Sequence, residues 1–352
     1  MRYKTGAESA KQLLHVASQR LHTVNPTPVI GRVLEESMPL PPGDAAYTTG
    51  QPPLEPNFSE ANPRNLAFMM NTVSPYSSAK DRLESADQAM RWMVNNQFGP
   101  DALYWLDGRL EPVRGRNGQS IRWGARYGAG FDRHGVMESL ITVEWGPELM
   151  DALPPELYRL ARLAMEHVPG LRPAFSTIRC GRRSGSQQVT FAIEYPLALS
   201  GLKPLMELLG LGHQHAGLMG TTAFLLGARF TLPPHTAMLT LLPTKVGPEL
   251  RLDVNLDALP DPPQQLAPLL RLQMGERPTS IRQLEQWLTA LTPDNHTGPG
   301  TVTVLSIRVR PDMAARVALY LRPAALSEGS VSVRSDQETA PLPVAENSAV
   351  MV

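Results

Sequence analysis

The clearest signal in the chain is an alternation of apolar and polar residues that recurs in paired short segments between residues 120 and 323. In 188–195, Val189, Phe191, Ile193 and Tyr195 oppose Gln188, Thr190, Ala192 and Glu194. In 250–256, Leu252, Val254 and Leu256 oppose Arg251, Asp253 and Asn255. Leu305, Ile307 and Val309 oppose Ser306, Arg308 and Arg310, while Val317, Leu319 and Leu321 oppose Arg316, Ala318 and Tyr320. Residues 138–145 repeat the pattern, with Ile141, Val143 and Trp145 against Thr142 and Glu144. A period of two marks strands with one buried face. Paired with 120–132, 174–180 and 236–242, these segments predict four antiparallel hairpins. The first turns at Arg133-His134-Gly135 and the second at Arg182-Arg183-Ser184-Gly185.

Helical periods fill the intervals. Residues 154–168 open on prolines, share a face through Leu157, Leu160, Ala164 and Val168, and stop at Pro169-Gly170. Residues 200–228 are helical with breaks at Gly210 and Gly212. Two further helices are predicted over 263–274 and 280–291, the second starting at a capping box from Ser280 to Gln283. Ahead of the repeats, 6–24 and 78–96 read as helices. Residues 103–110 read as a tight hairpin about Asp107-Gly108. The Pro-rich stretch 25–62 has no period and is expected to supply no barrel strand. The division expected is therefore an N-terminal helix and wrap (1–62), one domain (63–323) and a disordered tail (324–352).

The hairpins recur roughly every 50–65 residues, as in repeat architectures. An open sheet of this many strands exposes two edges, and closure removes them. The fold class expected is α/β: repeated ααββ units closing an antiparallel barrel of about ten strands, with helices outside on the apolar face. The polar face then points inward and places Arg126, Glu144, Arg179, Glu194, Arg251, Asp253, Asn255, Arg308, Arg310 and Tyr320 in the lumen. A half-solvated open sheet gives the same alternation. The excess of Arg over Lys on these strands favours the lumen, because guanidinium forks bind phosphate and carboxylate in a bidentate manner.

Composition narrows the function. The 33 basic and 33 acidic residues balance, so neither nucleic acid nor an anionic membrane is an expected partner. No apolar run reaches the ~18–20 residues of a membrane span. No signal peptide is evident, and a single cysteine, Cys180, excludes a disulfide framework within one chain; a cytoplasmic setting is expected. The 34 prolines suit many short elements. The stretch from Leu209 to Gly217 lacks the Gly-Lys-Ser/Thr ending of a phosphate loop. His213 and His215 have no carboxylate or cysteine at ligand spacing, so no metal site is expected. Asp257 and Asp261 read as turn caps rather than an aspartate-rich Mg²⁺ motif.

Residues 78–323 resemble the aromatic prenyltransferases of the ABBA type, whose ααββ repeats form the PT barrel. Repeat order and strand polarity carry the resemblance, together with the terminal strand Ala315-Arg-Val-Ala-Leu-Tyr-Leu-Arg-Pro. The Lys-x-Tyr pairs usual on such strands are absent here: the comparable positions read Thr142-Val-Glu144, Ala192-Ile-Glu194 and Asp253-Val-Asn255. The resemblance implies an enzyme of secondary metabolism that moves a prenyl group from a soluble prenyl diphosphate to an electron-rich aromatic acceptor: an indole, a phenol or an aromatic side chain. Arg126, Arg179, Arg251, Arg308, Arg310 and Tyr320 would bind the diphosphate, and Glu144 or Glu194 would orient the acceptor or take its proton. A monomer is expected, no cofactor is required, and no motif indicates Mg²⁺. The competing expectation is a protein of the same barrel with lost or altered chemistry that holds an anionic or aromatic small molecule.

Overall fold

The computed structural model describes residues 4–63, 65–114, 121–294 and 296–327. Ten strands close into a barrel: β1 (Leu54–Ser59), β2 (Leu66–Met70), β3 (Ala125–Asp132), β4 (Gly135–Glu144), β5 (Leu171–Gly181), β6 (Gly185–Ile193), β9 (Ala237–Thr244), β10 (Gly247–Asn255), β11 (Gly300–Arg310) and β12 (Met313–Pro323). The two-residue strands β7 (Leu197–Ala198) and β8 (Thr231–Leu232) pair with each other outside it. Every barrel neighbour is antiparallel, and β1 closes the ring on β12 with Asn57 opposite Tyr320.

Helices surround the barrel. They are α1 (Gly6–Leu21), α2 (Thr27–Ser37), α3 (Ala45–Thr48), α4 (Ala79–Phe98), α5 (Pro100–Arg114), α6 (Glu148–Asp151), α7 (Pro155–His167), α8 (Lys203–Leu208), α9 (His215–Leu225), α10 (Leu266–Gln273), α11 (Pro278–Leu291) and α12 (Ala324–Ser327). The core is the shell between the two layers. Leu252, Val254, Ile307, Val309, Val317 and Leu319 point outward and are fully buried beneath helices. Trp287 of α11 is buried against Phe58 of β1, with ring centroids 5.8 Å apart. The alternation thus faces the way the sequence implies, apolar toward the helices and polar toward the lumen.

Four local expectations are corrected. The stretch 25–62 is not an unstructured wrap: it forms α2, α3 and the closing strand β1. Leu54, Pro56 and Phe58 alternate with Glu55, Asn57 and Ser59. Pro56 lacks a donor, but the ladder to β12 covers only Asn57, Phe58 and Ser59, so the missing N–H falls beyond it. Residues 103–110 are not a hairpin but lie within α5, where Leu106, Leu110 and Val113 make one buried face. Asp107 is on the other face and pairs with Arg91 and Arg114, and a Cβ at Gly108 would meet nothing within 4 Å. Ser280 caps nothing, because α11 begins two residues earlier at Pro278, a residue suited to the first helical turn. The strand β2 has no counterpart in the expected hairpins. The tail expected to be disordered from 324 begins instead with α12 (Ala324–Ser327), which buries Leu326; residues from 328 onward lie outside the described residues.

Candidate active site

Inward side chains of the barrel enclose a cavity of about 560 Å³. Inter-strand register orders its wall. One row runs Arg316, Arg308, Arg251, Thr240, Thr190, Phe175 across β12, β11, β10, β9, β6 and β5. Three guanidinium groups therefore start from directly facing positions on three adjacent strands.

The surroundings of these arginines differ. Arg251 donates from Nε to Asp253 Oδ2 at 3.0 Å and from Nη2 to Thr240 Oγ1 at 3.3 Å. Burial works against its charge, but Asp253, Tyr320 and Glu249 outweigh burial and raise its pKa above the ordinary guanidinium value. Among the described residues Arg308 has only Glu249, at 3.9 Å, as an acidic partner, and its buried Nε has no hydrogen-bond partner. Burial lowers its pKa. The nearby Arg251 and Arg179 lower it further, against opposition from Glu249 and Tyr320. A guanidinium does not deprotonate in a protein, so the imbalance remains as a demand for an anion. Arg179 donates to Glu138 Oε2 at 3.0 Å. Arg308 thus sits within electrostatic reach of both Arg251 and Arg179, and of Tyr320.

The other half of the lumen is built around Glu55. Its side chain and that of Arg126 are 7% and 3% exposed and pair at 2.9 Å. Thr303 Oγ1 donates to the second carboxylate oxygen at 2.9 Å, and Arg126 Nη2 donates to the carbonyl of Pro52 at 2.8 Å. Trp123 and Phe175 meet edge to face with centroids 5.0 Å apart, and both line the cavity. Trp123 Nε1 donates to Gln51 Oε1 at 3.1 Å, which ties the segment before β1 to this end of the barrel.

Seven of the ten lumen residues expected from sequence line the cavity: Arg126, Arg179, Arg251, Asp253, Asn255, Arg308 and Tyr320. Glu144, Glu194 and Arg310 are not among its lining residues. Glu144 has the inward parity, but its carboxylate accepts the backbone N–H groups of Arg122, Trp123 and Gly124 at 3.0, 2.5 and 3.0 Å. It fixes the loop that presents Trp123; Gly124 takes φ +92° there, with Ala79 O only 2.2 Å from where a Cβ would stand. Glu194 lies one residue beyond the end of β6 and pairs with the exposed Arg172 at 2.7 Å. Arg310 ends β11 and pairs with Asp312 at 3.1 Å. Cys180 is buried, and burial pushes its thiol up to about 12, which leaves it protonated and unreactive at neutral pH.

Sequence reasoning missed Glu55, Glu138, Glu249, Trp123, Phe175 and Thr303. Phe175 and Thr177 share the parity of Arg179, so that signal was present. Thr303 and Val304 both line the cavity because the β11–β12 ladder shifts between Val302 and Val304, which breaks the parity. Among the described residues no group of three His, Cys, Asp or Glu is placed to hold a metal ion, and no helix is long and apolar enough to cross a membrane.

No family model matches the sequence, and no curated protein matches it. Solved structures do match. The 5-dimethylallyl tryptophan synthase from Streptomyces coelicolor, in complex with DMASPP and Trp, aligns at TM-score 0.65 and 15% identity over 98% of this chain and 99% of that one. The 6-dimethylallyltryptophan synthase from Micromonospora olivasterospora, also in complex with DMASPP and Trp, gives TM-score 0.66 and 14% identity over 91% and 98%. AnaPT from Neosartorya fischeri gives 0.57 and 9% over 82% and 83%. The chain therefore has the PT-barrel fold of the ABBA-type aromatic prenyltransferases.

Proposed function

We propose that this barrel transfers a prenyl group from a prenyl diphosphate to an electron-rich aromatic acceptor. The observation that carries the reading is Arg308: a buried cation with an unpartnered Nε, in register with Arg251 and Arg316 and close to Arg179. A diphosphate supplies several oxygens to such a cluster, and each charge-assisted hydrogen bond is worth about 1.5–3 kcal/mol. The structural neighbours bound to DMASPP and Trp support the pairing of donor and aromatic acceptor.

The chemistry needs three parts. The C–O bond of the donor breaks and its electron pair leaves with the diphosphate, whose growing charge Arg179, Arg251 and Arg308 stabilise. The allylic carbon then bonds to a ring carbon of the acceptor, which stacks beside Trp123 and Phe175. Tyr320 flanks the allylic cation and stabilises it through its ring face. Rearomatisation releases a proton, and in this reading Glu55, one of the carboxylates lining the cavity, takes it. That role passes to Glu55 from Glu144 and Glu194, neither of which lines the cavity. The enclosing barrel limits the bulk water that would quench the cation.

A second reading rests on a specific observation. Arg126, Arg179 and Arg251 are each already paired with an acid, as a protein that only binds an anionic or aromatic molecule would have them. Turnover separates the two. Incubation with isotopically labelled dimethylallyl diphosphate and a panel of tryptophan, indole and phenolic acceptors should give a labelled, prenylated product by mass spectrometry. Tight donor binding without product across the panel favours the binding protein.

A further inference from the structure

A second row of the lumen wall has a different character. Arg179 of β5 faces Leu140 of β4, Leu140 faces Gly128 of β3, Gly128 faces Met69 of β2, and Met69 faces Glu55 of β1. The row starts on a cation, crosses three apolar positions and ends on a carboxylate. The row beside it is polar: Thr177, Thr142 and Arg126, with the two hydroxyls 2.9 Å apart. Leu140 and Met69 line the cavity, and both crowd the space over Gly128 that a side chain there would occupy. A Cβ there would stand 2.6 Å from Met69 Sδ, 2.9 Å from Leu140 Cδ1 and 2.9 Å from the backbone carbonyl oxygen of Phe68.

We infer that the hydrocarbon chain of the donor lies along Leu140, Gly128 and Met69, and that Gly128 and Met69 set the chain length accepted. The inference rests on the donor reading above and adds what that reading leaves open. With the diphosphate at Arg179, Arg251 and Arg308, this apolar strip leads away from the anion site on the Arg179 side. From β5 to β2 it crosses three strand spacings, about 14 Å along the wall, which is room for more than one isoprene unit. An apolar chain gains from every methylene it removes from water here, and the adjacent threonine row offers no such gain. A methyl group at position 128 would push Met69 and Leu140 into the lumen and shorten the strip. Truncating Met69 would open its far end.

The test is calorimetric titration of inorganic diphosphate and of dimethylallyl, geranyl and farnesyl thiodiphosphates into wild type, Gly128→Ala, Met69→Ala and the volume-conserving Leu140→Met. Circular dichroism identifies any variant that does not fold, and wild type with the remaining variants decides the question. In wild type the geranyl compound should bind about tenfold tighter than the dimethylallyl one. Gly128→Ala should lower the ratio of geranyl to inorganic diphosphate affinity about fivefold or more, and Met69→Ala should raise the farnesyl ratio. Equal affinities across the three chain lengths in wild type, or variants that change all ligands by one common factor, overturn the strip while leaving the anion site intact. If inorganic diphosphate and all three prenyl compounds fail to bind wild type, the donor reading and this inference fall together.

Discussion

Arg251 and Arg308 face each other directly across β10 and β11, yet only Arg251 has a carboxylate within hydrogen-bond distance. Two like charges on neighbouring strands of a buried wall cost stability in the empty barrel. The same arrangement gives an incoming anion its affinity.

The first prediction is a trade between stability and binding at Arg308. Arg308→Met keeps the apolar stem and removes a buried charge that repels Arg251 and has only the distant Glu249, at 3.9 Å, as an acidic partner among the described residues. We expect the variant to be more stable than wild type by about 1 kcal/mol. Thermal denaturation of the empty protein checks this, and a lower midpoint than wild type contradicts it. The same variant should bind inorganic diphosphate at least about tenfold more weakly.

Glu55 should separate chemistry from binding. Glu55→Gln preserves shape and keeps an oxygen for one of the two donors, Thr303 or Arg126. Prenyl transfer should fall by about 10²–10⁴, the usual worth of a general base, while affinity for the thiodiphosphate donor changes little. Single-turnover kinetics alongside calorimetry reads both. Glu55→Ala is a different experiment: it strands Arg126 in a buried site and should cost about 3–5 kcal/mol of stability.

Glu144 should act through Trp123. Its carboxylate accepts three backbone N–H groups, so Glu144→Ala leaves those donors unsatisfied and loosens the loop before β3. The expected result is a rise in the acceptor KM with donor affinity unchanged. A fall in kcat with an unaltered KM would instead point to a direct chemical role.

Acid stability should carry the mark of Asp132, which clamps the β3–β4 turn to Arg182 in the β5–β6 turn at 2.7 and 2.9 Å. The bonds from Arg182, aided by the His134 N–H and opposed by partial burial, hold the Asp132 carboxyl below its ordinary range. The depressed folded pKa means that the contribution is present above the unfolded value of about 3.9 and is lost as pH falls through the lower folded value. The pair is partly solvated, so the effect should stay below about 1 kcal/mol. The melting temperature of wild type should drop more between pH 5 and pH 3 than that of Asp132→Asn.

The strand faces were legible because alternation survives in β4, β6, β10 and β12 and in the middle of β11, from Leu305 to Arg308, and parity alone placed Arg179, Arg251 and Arg308 in one lumen. The other half of the site was hidden. Proline at 52, 53 and 56 masks the alternation that makes β1 a strand, and so concealed Glu55. Glu194 fits the parity of β6 but lies just past its last residue, where the chain has left the wall. Asp107-Gly108 has the chemistry of a tight turn, yet the spacing of Leu106, Leu110 and Val113 gives α5 a face to bury, and burial outweighed the local turn preference. Electrostatic partners such as Glu138 and Glu249 come from neighbouring strands, and only register reveals who faces whom.

The central claim is that Arg179, Arg251 and Arg308 hold one diphosphate. Calorimetric titration of dimethylallyl thiodiphosphate into wild type and into the three single alanine variants tests it most directly. The account predicts binding by wild type and a loss of about tenfold or more in each variant, with lysine at the same positions restoring only part of it. Wild-type affinity in all three alanine variants, or no binding by wild type at millimolar ligand, would contradict it.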